Sequence, residues 1–242
     1  FVFTGIDAEP VPSLLRGFSA SVVLEMDLSD AQLLHLLAHD SDPFNRWEAG
    51  QRLALRRAMA AIQADDALAT EPLDAGFIEG MRAVLRHPAL DAAFKELTLT
   101  LPADSYIAEQ LEMVDPQRVH AVREAMRRQL ALALQSDWAW AFEVHQDSGA
   151  YRPDALSAGR RALAGLALTM LCVAARAPGD TVWPGKAYQR FKDAGNMTDR
   201  FNALSALVSS GQPLAAQALE RFHAMFKDEA LVLDKWFALQ AG

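Results

Sequence analysis

The clearest helix start in this chain is Ser29-Asp-Ala-Gln-Leu-Leu-His-Leu-Leu-Ala-His39. Its first four residues match a capping box, in which the Ser29 side chain accepts a hydrogen bond from the backbone N–H of Gln32 and Gln32 reaches back to the cap. The leucines that follow recur at the spacing of one helix face. The stretch therefore predicts that an α-helical region begins at Ser29.

Everything C-terminal to this stretch also has a helical pattern. Asp42-Pro43 and Asp115-Pro116 each place proline in a first helical turn, where its missing N–H costs nothing. Short connections rich in Pro, Gly and Asp separate the apolar, periodic segments. The predicted helices cover about 30–39, 43–65, 73–86, 90–97, 105–113, 116–144, 153–176, 185–194, 198–209, 213–226 and 229–240.

A weak internal repeat supports stacked helices. A basic residue, an aromatic residue, any residue and Ala recur in this order. A buried aromatic beside a small Ala, with a basic group reaching the surface, suits helices packed in an array. Coincidence in an Ala-rich chain is the competing explanation. The four copies are Arg46-Trp-Glu-Ala49, Arg200-Phe-Asn-Ala203, Arg221-Phe-His-Ala224 and Lys235-Trp-Phe-Ala238.

N-terminal to Ser29 the pattern changes to alternation with a period of two. Val22, Leu24 and Met26 fall on one face of a segment that runs from residue 21 to 27, which predicts β-strands. The predicted fold class is mainly α, with a short N-terminal β remnant followed by a HEAT/armadillo-like α-helical superhelical domain. Its predicted domains are 1–27, the last strands of a β-sandwich, and 28–242, a helical domain truncated at its C-terminus.

The last helix, within 228–242, is apolar nearly all round, and such a helix is normally covered on most sides. We therefore expect both ends of the chain to be cuts through a larger protein, with self-association through the truncated ends. The apolar face of Trp236, Phe237 and Leu239 is expected in a chain–chain contact or against the preceding helix around Phe222.

Composition narrows the class of protein. The formal net charge is −8 and 51% of the residues are hydrophobic, which argues for a packed core and against binding nucleic acid. The one cysteine, Cys172, lies in an apolar run too short to span a membrane, so it is expected to be a buried small hydrophobe. A cytoplasmic location, with no nucleic-acid or membrane partner, is expected.

His35 and His39 have the spacing of two metal ligands on a helix. A zincin motif has Glu directly after the first His, but Leu36 stands there, and no third ligand is evident. We interpret the pair as surface or interface histidines and predict no catalytic and no metal-binding residue in this chain. An autonomous metal-binding domain that uses the pair is the minor alternative.

Other polar and aromatic groups have two interpretations each. The carboxylates of Asp40, Asp42, Asp65 and Asp66 fall at helix ends and are expected to be caps rather than acid–base groups. Trp138, Trp140 and Phe142 are expected in the core, with a ligand platform as the alternative. The segment formed by Asn196, Met197, Thr198, Asp199 and Arg200 is a helix cap or, alternatively, the lining of a cavity.

Four segments together resemble one family, the bacterial aminopeptidases N, which are zinc gluzincins. Glu9-Pro-Val-Pro-Ser-Leu-Leu-Arg-Gly-Phe-Ser-Ala20 resembles the end of their small β-sandwich domain. Asp40-Ser-Asp-Pro-Phe-Asn-Arg-Trp-Glu-Ala-Gly-Gln51 is similar to the start of their helical C-terminal domain. Two later landmarks are Asn196-Met-Thr-Asp-Arg-Phe-Asn-Ala-Leu-Ser-Ala206 and Leu231-Val-Leu-Asp-Lys-Trp-Phe-Ala-Leu-Gln-Ala241.

The resemblance implies a non-catalytic C-terminal region of a zinc metallo-aminopeptidase that releases N-terminal residues from peptides. Zinc would belong to the parent enzyme, and no cofactor to this chain. The implied partners are the catalytic domain of the same parent chain and, in the parent, peptides. The helical domain would cap the active-site cleft and shape the peptide chamber, with residues 196–200 among its lining. The alternative is a free-standing α-solenoid that binds a protein partner.

Overall fold

The computed structural model describes residues 2, 4–22, 24–64, 72–147, 149–175 and 180–241. Within these residues the regular structure is helical, which confirms the mainly α fold class. The twelve α-helices in this part of the chain are α1 Asp30–His39, α2 Pro43–Gln63, α3 Ala75–Arg86, α4 Ala92–Leu99, α5 Asp104–Ala108, α6 Pro116–Ala133, α7 Gln135–Val144, α8 Ala155–Ala174, α9 Val182–Asp193, α10 Met197–Ser209, α11 Leu214–Phe226 and α12 Ala230–Ala241.

Side-chain caps begin several of these helices. Both halves of the capping box are formed at α1: Ser29 Oγ accepts from the backbone N–H of Gln32 at 3.3 Å, and Gln32 Oε1 accepts from that of Ser29 at 2.9 Å. Asp42 caps α2, and Asp154 caps α8. Each cap satisfies an N–H group that the first helical turn cannot. The signals at Ser29 and Asp42 therefore marked helix starts correctly, whereas the helix predicted from Gly185 begins at Val182.

The helix predicted over 116–144 is in fact two helices. Leu134 separates α6 from α7 with φ −110° and ψ 21°, outside the α-helical region. The indole Nε1 of the fully buried Trp138 donates to the carbonyl of Leu130 at 3.2 Å, one turn before the break. The backbone N–H of Leu134 donates to the same carbonyl at 3.1 Å, so the carbonyl of Leu130 accepts two hydrogen bonds just before the break.

The described part of residues 1–27 contains no strand, in contrast to the predicted β remnant. An alternating pattern makes a strand only where a neighbouring strand pairs its N–H and C=O groups. Instead, a 3-10 turn at Arg16–Phe18 is tied to the α1–α2 linker, through Arg16 to Asp40 and through the backbone N–H of Gly17 to Asp42. Membership of this segment in a β-sandwich domain stays a prediction; Phe1, Phe3 and Val23 lie outside the described residues.

The contacts of the chain group into two compact units, 1–88 with 97–126 and 89–96 with 127–242. The domain limits that the sequence predicts, 1–27 and 28–242, divide the chain differently from these two units, and they stay a prediction. In the first unit α1 packs on α2 and α3 around the fully buried Leu37. Gly50 and Gly80 allow this approach, because a Cβ there would lie 3.2 and 2.9 Å from Leu37 methyl groups.

The second unit is built on α8, which packs against α7, α9 and α10. By length and hydropathy α8 could cross a membrane, but 61% of its apolar window is buried in the fold, as in an ordinary core helix. Cys172 lies within it, and burial raises the pKa of its thiol to about 12. The prediction that Cys172 is a buried small hydrophobe is confirmed.

The predicted repeat does not describe one common packing unit. The alanines of its first two copies, Ala49 and Ala203, are buried, whereas Ala224 and Ala238 are exposed. Arg46 is also buried rather than at the surface, and donates to the carbonyl of Asp40. The four copies therefore share a sequence pattern, but their corresponding residues differ in burial.

The last helix, α12, contacts the preceding helix in part. Trp236 donates from Nε1 to the carbonyl of Leu219 at 3.0 Å, and its ring lies 5.0 Å from that of His223. Phe237 and Leu231 are 61% and 80% exposed, and no residue of α12 is buried. Trp236 thus makes the expected contact with α11 and Phe237 is mostly exposed, while a chain–chain contact stays a prediction.

Candidate functional site

The segment Asn196–Arg200 begins α10, as its capping pattern predicts. Asn196 Oδ1 accepts from the backbone N–H of Asp199 at 2.9 Å, and its Nδ2 donates to Asp199 Oδ2 at 2.8 Å. The acidic Asp199 in the first turn also complements the positive end of the helix dipole. Asn196 thus caps the backbone of the first turn and also holds one carboxylate oxygen of Asp199.

Arg190 of α9 is the partner that Asp199 meets across the α9–α10 connection. Its Nη2 donates to Asp199 Oδ1 at 2.9 Å, and the two side chains are only 21% and 12% exposed. Arg190 also donates to Gln146 Oε1, and its guanidinium lies 5.6 Å from the ring centre of Phe142. A planar guanidinium can make both contacts at once. Arg190 thus links three helices of the second unit.

Arg200 has a structural role. Its guanidinium donates to the carbonyls of Phe191 at 2.8 Å, Lys192 at 3.4 Å and Ala194, and so closes the C-terminal end of α9. Carbonyls at a helix end have no partner within the helix, and a cation there satisfies them. Met197 is half-buried and Thr198 is exposed.

These interactions border an open cleft of about 460 Å³. Its polar side chains interact in pairs: Lys186 lies 3.7 Å from Glu143, and the neutral Gln189 donates to Asp193 at 2.6 Å. Side chains of both signs beside an aromatic face can hold a polar or zwitterionic group. The lining residues are Phe142, Glu143, Gln146, Lys186, Gln189, Arg190, Asp193, Ala194, Gly195 and Asp199.

Of the five residues expected to line a chamber, only Asp199 lines this cleft. Whether the segment belongs to a peptide chamber stays a prediction. Phe142 lines the cleft as well, which agrees with the ligand-platform alternative for that one aromatic residue, while Trp138 is in the core. Sequence reasoning missed Arg190 and Glu143, because a single charged residue in an amphipathic helix looks like any other surface group.

The two histidines that have the spacing of metal ligands lie on the surface of α1. Both His35 and His39 are exposed, with ring centres 5.0 Å apart. No group of three or more His, Cys, Asp or Glu side chains suited to a metal ion occurs in the described part of the chain. The prediction that this pair binds no metal stays a prediction.

Asp40 and Asp42 hold the α1–α2 linker. Asp42 Oδ1 accepts from the backbone N–H of Asn45 at 3.0 Å, the capping role that was expected. Burial alone would raise the pKa of Asp40, but hydrogen bonds from the Asp42 backbone, Ser13 and Arg16 outweigh it and hold that pKa below its usual value. Asp65 and Asp66 lie outside the described residues.

Comparison with known proteins places this arrangement in a wider context. Residues 30–242 match the family model described as "Domain of unknown function (DUF3458_C) ARM repeats". Aminopeptidase N of Caulobacter vibrioides is 36% identical over 97% of this chain, and that of Escherichia coli is 33% identical over 100% of it. The chain spans only 26% and 27% of these relatives.

A solved structure supports the same placement. The crystal structure of Legionella pneumophila aminopeptidase A in complex with aspartic acid matches with a TM-score of 0.80 and 27% identity. The match covers 99% of this chain and 28% of that one. Since the family model covers 213 of the 242 residues, counted from 30 to 242, the chain belongs to the DUF3458_C family of ARM-repeat domains.

Proposed function

We propose that this chain is the non-catalytic helical region of a zinc metallo-aminopeptidase that releases N-terminal residues from peptides. The observation that carries the proposal is similarity along the whole chain to proteins named aminopeptidase N, at 32–36% identity. Those proteins are almost four times longer, so most of their length has no counterpart here. The catalytic chemistry would belong to that other part.

The zinc ion is proposed for the parent enzyme and not for this chain. Leu36 directly follows His35, where a zincin has its glutamate, and it is buried and has no acid–base chemistry. A zinc peptidase needs three protein ligands and a general base around the ion. Peptides, and the catalytic region of the same polypeptide, are the proposed partners, with the cytoplasm as the proposed location.

Within the parent, the helical region would cap the active-site cleft and shape the chamber for peptides. The cleft beside α7, α9 and α10 supports this role, because Glu143, Lys186 and Asp193 offer charges of both signs to a peptide. Arg190 and Asp199 would hold the walls in place rather than bind the peptide, since they are mostly buried, whereas Lys186 and Glu143 are 48% and 65% exposed.

The first experiment is an aminoacyl-arylamide assay of the purified 242-residue chain with added zinc. We expect no turnover. Turnover that is abolished both by a chelator and by His35→Ala would overturn the proposal that catalysis belongs to another part of the parent enzyme. Metal analysis of protein purified without a histidine tag addresses the autonomous metal site, which requires stoichiometric metal.

The second experiment tests the chamber in the complete polypeptide that the gene encodes. Glu143→Gln removes one exposed cleft charge and is expected to raise KM for peptides while leaving arylamide hydrolysis unchanged. Asp228→Asn, an exposed acid at the α11–α12 connection, is the matched control. Equal kinetics for both variants with every peptide would contradict a chamber wall at this cleft.

The α-solenoid alternative makes a different prediction about the gene. A start codon immediately before Phe1 favours a free-standing interaction module. A reading frame that continues upstream and contains H-E-x-x-H favours the aminopeptidase.

A further inference from the structure

The cleft beside α7, α9 and α10 has an uneven charge. Two cations and three carboxylates line it, so it carries one net negative charge; they are Lys186, Arg190, Glu143, Asp193 and Asp199. Its volume of about 460 Å³ lies within the range of about 300–1,000 Å³ that is usual for ligand pockets. A cleft of this size and charge favours a cationic ligand over an anionic one.

The inner ion pair of the cleft has its partners within the protein. The Nη2 of Arg190 donates to Asp199 Oδ1 at 2.9 Å, and its Nη1 donates to Gln146 Oε1. The other carboxylate oxygen of Asp199 accepts from Asn196 at 2.8 Å. This pair is therefore a fixed part of the wall and leaves no net charge for a ligand.

The two outer acids are not neutralised in this way. Among the described residues, Asp193 accepts a hydrogen bond only from the neutral amide of Gln189. Glu143 has Lys186 as its nearby cation, but at 3.7 Å, which is longer than a hydrogen bond, and that ammonium also lies 4.2 Å from the ring centre of Trp183. Both carboxylates are exposed and keep lone pairs for a further donor. The cleft thus has more carboxylate groups than cations to pair with them.

A buried aromatic ring gives the same cleft an apolar wall. Phe142 is held between the guanidinium of Arg190, 5.6 Å from its ring centre, and the ring of Trp183, which meets it edge-on at 5.7 Å. The methylene stems of lysine and arginine pack on apolar surface while their charged ends stay near water. An aromatic wall beside exposed carboxylates therefore matches a long cationic side chain better than a small ion.

We propose that this cleft binds the cationic side chain, arginine or lysine, of a peptide. Asp193 and Glu143 accept hydrogen bonds from its charged end, and Phe142 packs against its stem. The fixed Arg190–Asp199 pair holds the wall in its binding shape, so little ordering is needed when the peptide binds. The inference rests on the proposed function, in which peptides reach the helical region, and adds the class of side chain that this cleft selects.

The probe is the peptide acetyl-Ala-Arg-Ala-amide, whose only charge is the guanidinium. Its matched control has citrulline in place of arginine, which keeps nearly the same shape without the charge. Each peptide is titrated into the purified chain at pH 7 and low salt, and the backbone amide resonance of Gly195, a residue of the cleft assigned with Gly195→Ala, is followed by NMR. The arginine peptide should give a saturable shift and bind about 4- to 30-fold more tightly than the citrulline peptide, the effect of two exposed ion pairs.

Variants of the two acids locate the recognised charge. Asp193→Asn should lower the ratio of arginine to citrulline affinity by about 1.4- to 5-fold, and the double variant with Glu143→Gln should bring that ratio to about one. Asp228→Asn, an exposed acid outside the cleft, is the matched control and should leave the ratio unchanged.

Three results would overturn the inference. Equal affinities for the two peptides would show that the charge is not recognised, and an unchanged ratio in the double variant would place the recognition elsewhere. Absence of a saturable shift of Gly195 would refute binding in the cleft. If the double variant does not fold, the ratio measured for Asp193→Asn decides. Arylamide hydrolysis by the complete polypeptide tests the proposed peptidase separately, since an arylamide has no second residue to place in this cleft.

Discussion

The Asp199–Arg190 pair is expected to hold α9 and α10 together, and Asp199→Ala tests this directly. The substitution removes a hydrogen bond at 2.9 Å between two charged, mostly buried groups. Hydrogen bonds to charged groups contribute about 1.5–3 kcal/mol. The loss of an acid from the first turn of α10 adds about 0.3–1 kcal/mol. The expected destabilisation is therefore about 2–4 kcal/mol.

Hydrogen exchange is the suitable assay, because a chain with two compact units need not unfold in one step. Each 1.4 kcal/mol is a factor of ten, so the slowest amides of α9 and α10 should exchange roughly 30- to 700-fold faster. Amides of α1 and α2, which belong to the first unit, should be unaffected if the two units open independently.

Asp193→Ala is the matched control, since Asp193 is an exposed acid of the same cleft. Among the described residues its side chain bonds only to Gln189 on its own helix, and its loss should change stability by less than about 0.5 kcal/mol. Equal exchange rates in the two variants would refute the claim that the Arg190 pair stabilises this unit. Faster exchange only in α1 and α2 would refute it as well.

Further predictions concern reactivity, packing and pH. Cys172 should resist iodoacetamide at pH 8 until urea is added, because it is buried and its pKa is raised to about 12; mass spectrometry measures the adduct, and labelling of the folded chain would contradict its burial. Gly159→Ala should lower the free energy of unfolding by about 1–3 kcal/mol in a urea melt, since the new Cβ would lie 2.8 Å from a backbone nitrogen of α4. Gly185→Ala is the control: it has open space around it and should raise that free energy by up to about 1 kcal/mol. The hydrogen bond from Arg56 lowers the pKa of Asp30 most, so the stability from Asp30 is present above its usual pKa of 3.8 and is lost as pH falls below it; Asp30→Asn should flatten the acid limb of a pH–stability curve, and an unchanged limb would count against the pair.

Local signals at helix ends could be interpreted from the sequence because their partners are three residues apart. The box at Ser29 and the caps at Asp42 and Asn196 are all formed as predicted. The break at Leu134 could not be predicted, because it accompanies the burial of Trp138, which is a tertiary event. The prediction of strands before residue 28 was wrong for a similar reason, because an alternating pattern does not specify which strand it pairs with.

The candidate site likewise combines features that the sequence predicted with features that it did not. Asn196 and Asp199 were visible as a capping pattern, yet nothing in the sequence indicated that Arg190 would bridge Asp199, Gln146 and Phe142. The burial of Lys95 was equally invisible, since a lysine in a periodic helix looks like an exposed charge. The sequence by itself determined the helical class, several helix starts and the family resemblance, because these depend on residues close in the chain. Only the tertiary structure decided which charges meet and which remain unpaired, because burial and pairing depend on helices far apart in sequence.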